Sequence, residues 1–312
     1  MISPQAPEAV IMVRPHRFHS NPQTAADNSF QVLQASSPEN SATMAKDQFD
    51  QAVEDLRQSG VTVHVFDDFG DADTPDSVFP NNWISTHAGG RVAIFPMYTE
   101  NRRRERRWDI VEMLKANYRV QDVIDYSGLE QDNLVLEGTG AMVLDHIGKI
   151  AYTARSNRAD PVILERFCTN FNFEPMTFDA VYSDGKAVYH TNVIMAVGTN
   201  FAILASEMIP DIDRRNEIID RLMETGREVV EISAEQVAEF AGNAIELTAG
   251  NRNILAISKR AVAALNEDQC RRLESRVELL PIEIPTIETA GGSVRCMIAG
   301  IHLAKRQKET IQ

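Results

Sequence analysis

Five polar residues recur along the chain at a nearly constant interval. Asn82, Glu137, His190, Asn243 and Cys296 are separated by 55, 53, 53 and 53 residues. A period of that length marks a supersecondary unit that cannot bury its apolar face alone and must stack on its neighbours. The first four residues each lead into a hairpin pattern: two short apolar runs around a turn. The hairpins read "NNWISTHAGGRVAIFPM", "AMVLDHIGKIAYTA", "VIMAVGTNFAILA" and "AIELTAGNRNILAIS", with turns at Ala-Gly-Gly, His-Ile-Gly-Lys, Gly-Thr-Asn and a longer Gly-containing loop.

Between the hairpins the chain repeats one order: helical segment, short strand, polar entry residue. "SATMAKDQFDQAVEDLRQSG" carries Phe49, Val53 and Leu56 at helical spacing and ends at Gly60, a good helix stop, before the strand "VTVHVF". "DIDRRNEIIDRLMETG" leads to "REVVEIS" in the same way. "NEDQCRRLESRV", with Asn266 and Gln269 placed as a capping pair, leads to "ELLPIEIP". Pro161 suits an early position in the helix expected over 156–168. The fifth unit has no second strand after Cys296, and "AVIMVRP" near the N-terminus can supply it. The expectation is an α/β chain of five units, closed into a ring by its N-terminal strand, that brings the entry residues together. No linker marks a split near residue 170, so residues 1–312 are expected to form one domain.

Composition narrows the class. Hydrophobic residues make up 43% and charged residues 24% of the chain, which is ordinary globular usage. A net charge of -14 opposes binding to nucleic acid or to an anionic membrane. No apolar run approaches the about 18 residues of a membrane span, and "MISPQAPEAV" does not read as a signal peptide. Cys168, Cys270 and Cys296 form neither a disulfide framework nor a metal-ligand spacing, and a cytoplasmic protein is expected. The basic run "NRRRERRWDIVEML" reads as the solvated first turn of a helix whose apolar face is Ile110, Val111 and Leu114. His16 and His19 have no third ligand nearby and read as loop residues. "LEGTGAM" lacks the third glycine of a dinucleotide fingerprint and runs into a hairpin instead of a helix. No metal and no cofactor are expected.

A thiol, an imidazole and a carboxylate in one repeat phase are the parts of a cysteine-nucleophile enzyme. The thiolate is the reactive form and needs a proton acceptor or positive charge beside it. His190 can accept and return a proton, and Glu137 can orient that ring. Gly291 and Gly292 permit close backbone approach. Asn243 and Trp83 are expected in the core or lining the ring.

"LEGTG", "VYHTNV" and "GGSVRCM" resemble the Glu-Gly, His-containing and C-terminal Cys motifs of the guanidine-modifying superfamily: arginine deiminases, dimethylarginine dimethylaminohydrolases and amidinotransferases. With "FPNNWISTH" and "TARSNRAD", the likeness is nearest to the CtlX-type citrulline utilisation hydrolases and covers nearly the whole chain. The resemblance implies a five-bladed pseudo-fivefold α/β propeller, the pentein. It implies Cys296 as nucleophile, His190 as general acid/base, Glu137 as its partner and Arg155 in "TARS" as a grip on a substrate carboxylate.

The chain departs from the deiminase pattern at two places. Asn82 in "FPNN" and Asn192 in "HTN" stand where arginine deiminases carry aspartates that hold the cationic guanidinium. An amide offers donors as well as an acceptor, whereas a carboxylate only accepts. The paired change favours a neutral ureido group, hence hydrolysis of citrulline to ornithine, ammonia and carbon dioxide, with Asn82, Asn192 and Arg155 binding the substrate. Arginine dihydrolase or deiminase action, amidino transfer and a non-catalytic pentein that binds a macromolecule are the alternatives. The expected partner is a small amino-acid substrate, and a homo-oligomer fits the reading.

Overall fold

The computed structural model describes residues 4–25, 28–32 and 37–307. Among these residues fifteen strands run in chain order: β1 (Ala9–Pro15), β2 (Thr62–Asp68), β3 (Ile84–His87), β4 (Arg91–Ile94) and β5 (Asp122–Asp125). Then come β6 (Met142–Asp145), β7 (Ile150–Ala154), β8 (Glu174–Phe178), β9 (Met195–Val197) and β10 (Phe201–Leu204). The last are β11 (Glu228–Glu231), β12 (Ile245–Ala249), β13 (Arg252–Ser258), β14 (Glu278–Ile282) and β15 (Ala299–Gly300).

They form five three-stranded sheets of one design. A hairpin pairs the first strand antiparallel with the central one, and a helical crossover returns the third strand parallel to it. β9-β10-β11 and β12-β13-β14 repeat the pattern. The fifth sheet is assembled from both ends of the chain. β1 is its central strand, parallel to β2 and antiparallel to β15, with Val10 opposite Gly300 and Ile11 opposite Ala299. The N-terminal strand thus takes the place expected of it, and the five sheets give a pseudo-fivefold repeat.

Local chemistry sets the element ends. The helix Pro38–Ser59 stops at Gly60, whose φ of 103° is left-handed. Asn266 and Gln269 form the capping box of Glu267–Glu274, and Asp160 caps Pro161–Phe171. Ala-Gly-Gly turns the first hairpin with both glycines at φ 84°. Apolar clusters fill the spaces between sheets and their covering helices. Trp83 lies in one of them with Ile11, Ile84 and Ile110, a core position. No described helix is long and apolar enough to cross a membrane.

The basic run departs from expectation. It splits into the helices Glu100–Arg103 and Trp108–Asn117. Ile110, Val111 and Leu114 are buried as expected, but so are Arg102 and Glu105 in the connecting turn. A charged pair is tolerated there because Arg102 donates to both oxygens of Glu105, at 2.9 and 3.0 Å.

Candidate active site

Each of β3, β6, β9, β12 and β15 is preceded by a short turn or helix, and those five segments meet. Asn82 ends the 3₁₀ turn Pro80–Asn82, Glu137 caps Gly138–Ala141, His190 caps Thr191–Val193, and Cys296 lies in a turn closed by its N–H on Ser293 O. The glycines of "EGTGA" permit the convergence. Gly138 has φ 45°, and a Cβ on it would lie 2.5 Å from Asn81 O. A Cβ on Gly140 would lie 2.3 Å from Asn82 Nδ2 and 2.9 Å from His190 Nδ1 and Cε1. Any larger residue there drives these two groups apart.

His190 Nε2 lies 2.8 Å from Glu137 Oε2. Both are buried. Glu137 also accepts from Arg158 Nη1 at 3.1 Å and from the Tyr98 N–H at 3.0 Å, with Arg102 Nη1 3.7 Å away. Burial alone would raise the Glu137 carboxyl, but Arg158, the His190 hydrogen bond and Arg102 hold it well below the usual carboxylate range. The carboxylate therefore only accepts, so Nε2 carries the ring proton and Nδ1 keeps a lone pair. Burial lowers the His190 pKa against the pull of Glu137. At neutral pH the ring is an uncharged base.

The Cys296 thiol is 5% exposed and receives two amide donors. Asn243 Nδ2 is 3.3 Å and Asn192 Nδ2 3.5 Å from Sγ. Asn243 also bonds Asn192 O and the Arg295 N–H, which ties three of the five units together. Among the described residues Asn192 Oδ1 and Asn82 Nδ2 are buried without a partner, one an acceptor and the other a donor. Buried polar atoms are rarely left so unless a ligand completes them.

A cleft is lined by Cys296, His190, Asn82, Asp76, Arg102 and Arg158, among others. Gly291, at φ 85°, and Gly292 also line it, but a Cβ at either would meet Asn28 or Phe79 within 2.8 Å. Their smallness therefore serves packing over the site. The carboxylate grip expected of Arg155 needs correction. Its side chain is 58% exposed and turned to Asp179 and Thr177, outside the cleft. Three residues on, Arg158 is buried in the cleft wall. Arg102 and Asp76 were not singled out by the sequence. Burial raises the Asp76 carboxyl, against Arg102 and Asn21, and its Oδ1 has no partner.

Elsewhere, His16 pairs with Asp67 and His19 with Ser20 O. Among the described residues no group of three His, Cys, Asp or Glu could hold a metal ion.

A family model described as N,N dimethylarginine dimethylhydrolase, eukaryotic, matches residues 14–303. No curated protein sequence matches the chain. Among solved structures, the N-terminal domain of ArgZ, an arginine dihydrolase from the ornithine-ammonia cycle in cyanobacteria, was captured with substrate in a cysteine-to-serine variant. It superposes with TM-score 0.72 at 17% identity over 94% of this chain and 97% of that one. Unliganded AgrE gives 0.72 at 16%, over 96% of this chain and 40% of that one. The dimethylarginine hydrolase of Pseudomonas aeruginosa, complexed with citrulline, gives 0.63 at 15%, over 95% and 100%. At these identities the superpositions establish a shared fold.

Proposed function

The chain belongs to the dimethylarginine dimethylhydrolase family within the pentein guanidine-modifying superfamily, and on that premise we propose that it hydrolyses the ureido group of citrulline through a covalent adduct on Cys296. The observation that carries this reading is the amide lining of the thiol. Asn243 and Asn192 bond Sγ, and Asn82 and Asn192 leave one buried donor and one buried acceptor unmet. A ureido group supplies what these lack: a carbonyl oxygen for Asn82 Nδ2 and an N–H for Asn192 Oδ1. A buried guanidinium held only by amides would lack a counter-charge, which costs several kcal/mol.

The chemistry follows from the tautomer. His190 Nδ1 takes the thiol proton, and the thiolate attacks the ureido carbon. The tetrahedral oxyanion is held by N–H donors of the amide set. His190 returns the proton to the departing nitrogen and leaves a carbamoyl thioester. Water, deprotonated by the same ring, then attacks the carbonyl carbon and frees the thiolate. The carbamic acid set free breaks down to carbon dioxide and the second amine, so the sum is ornithine, ammonia and carbon dioxide. Arg158 and Arg102 hold the substrate α-carboxylate, and Asp76 Oδ1 its ammonium. The five sheets act as one closed propeller and one catalytic unit.

A second reading, arginine dihydrolase action, draws support from Asp76, a buried carboxylate in the same cleft with one oxygen left without a partner among the described residues, and from the fold shared with the cyanobacterial enzyme. Separate incubations with citrulline and arginine, followed by ornithine and citrulline quantification, distinguish the two. Ornithine from citrulline alone supports the first reading, and ornithine formed from arginine replaces it with the second.

A further inference from the structure

A second cavity, of about 60 Å³, lies farther along the same inner strands and shares no lining residue with the cleft. Every sheet contributes to its wall, through β3, β6, β9, β12 and β15. A water needs roughly 10–15 Å³ by this measure, so the space admits a few waters or one anion of four heavy atoms.

Its wall carries one guanidinium and three imidazoles. Arg295, the neighbour of Cys296, lines it with His87, His146 and His302. The Arg295 guanidinium uses one N–H, from Nη1 to Ile298 O at 2.8 Å, and has no carboxylate partner among the described residues. Glu246, the acid on this wall, is already engaged by Thr199 through N–H and hydroxyl and by Asn253 Nδ2. Burial pushes Arg295 down to about 10, which leaves it charged at neutral pH. The same guanidinium, with Lys149, helps to keep His146 and His302 neutral.

His87 supplies an independent sign of a missing partner. It is 4% exposed, and its Nδ1 has no hydrogen bond among the described residues. Its Nε2 lies 2.7 Å from Ser85 Oγ. With that hydroxyl donating to Nε2, the serine proton is satisfied. The ring proton is then on Nδ1, an unmet donor.

We propose that this cavity binds a small planar oxyanion of the carbonate or nitrate class, held in the fork of Arg295 with His87 Nδ1–H as a second donor. A planar guanidinium matches such an anion through two parallel hydrogen bonds, and the volume excludes larger esters.

The test is thermal unfolding of the full chain with nitrate or hydrogencarbonate titrated at constant ionic strength against gluconate. The expected result is a saturable rise in Tm that Arg295→Gln abolishes and Arg102→Gln, in the cleft, retains. Arg295→Lys, which keeps charge but not the fork, should weaken binding at least tenfold. If the Arg295 variants do not fold, the ¹⁵N–¹H signal of His87 in the unmodified protein decides, and it should move with anion concentration. The absence of a saturable rise, a rise unchanged in Arg295→Gln, a rise lost in Arg102→Gln alone, or a His87 signal that stays still overturns the proposal.

Discussion

His190 and Glu137, 53 residues apart, meet in a 2.8 Å hydrogen bond with both side chains buried, and that bond fixes which imidazole nitrogen is free to act as a base. Glu137→Gln preserves the shape but not the charge. It should lower kcat by about 10²–10⁴-fold, the range of general acid/base assistance, and leave Arg158 and Arg102 facing a neutral amide. Loss of one partner of a buried ionic cluster costs about 3–5 kcal/mol, so steady-state kinetics and urea unfolding should both register the change.

Acid should act on stability before the exposed carboxylates titrate. His190, His87, His146 and His302 all have folded-state pKa values below 6.5, with burial the first cause in each and His302 at about 4. The unfolded chain binds the extra protons, so their contribution is complete above about pH 6.5 and is lost as pH falls toward the folded values. Glu137, whose carboxyl is depressed, adds a loss that begins lower, below its ordinary 4.5. Urea midpoints should fall between pH 7 and pH 5. Equal midpoints would show that these rings are not neutral in the folded state.

Arg155 and Arg158 give a clean contrast. Arg155→Ala removes an exposed side chain and should leave stability within about 0.5 kcal/mol and kinetics unchanged. Arg158→Gln should raise KM and destabilise the fold, because it removes a grip on the substrate and a partner of Glu137. The reverse ranking, measured in one assay, would restore the carboxylate grip to Arg155.

Gly140→Ala should be far costlier than a methyl group suggests. Its Cβ must displace Asn82 or His190, and misplacement of a catalytic group by about 1 Å costs roughly 10²-fold. The expected result is a folded protein with kcat down by about that factor. Full activity would mean that Asn82 and His190 need not pack against one another.

The repeat was readable because polar residues that precede inner strands interrupt otherwise apolar hairpins, and Cys296 could be placed by phase alone. Asn243 shared that phase, but its bonds to Sγ and Asn192 depend on side-chain direction, which spacing does not carry. Arg102 was hidden among the arginines of "NRRRERR", where no local pattern separates the buried guanidinium from its solvated neighbours. Asp76 sits in a turn and follows no period. Arg155 and Arg158 differ by one bend after β7, which sends the first to solvent and the second inward.

Asn82→Asp combined with Asn192→Asp turns the amide lining into an acidic one, and comparison with the unmodified protein probes what the lining selects. With purified enzyme, ornithine and ammonia should form from citrulline at a rate that Cys296→Ala abolishes. The double aspartate variant should lose that turnover and bind arginine more tightly. If the unmodified protein leaves citrulline intact and converts arginine, or if Cys296→Ala keeps full turnover, amide recognition of a neutral ureido carbon by a thiol nucleophile is wrong.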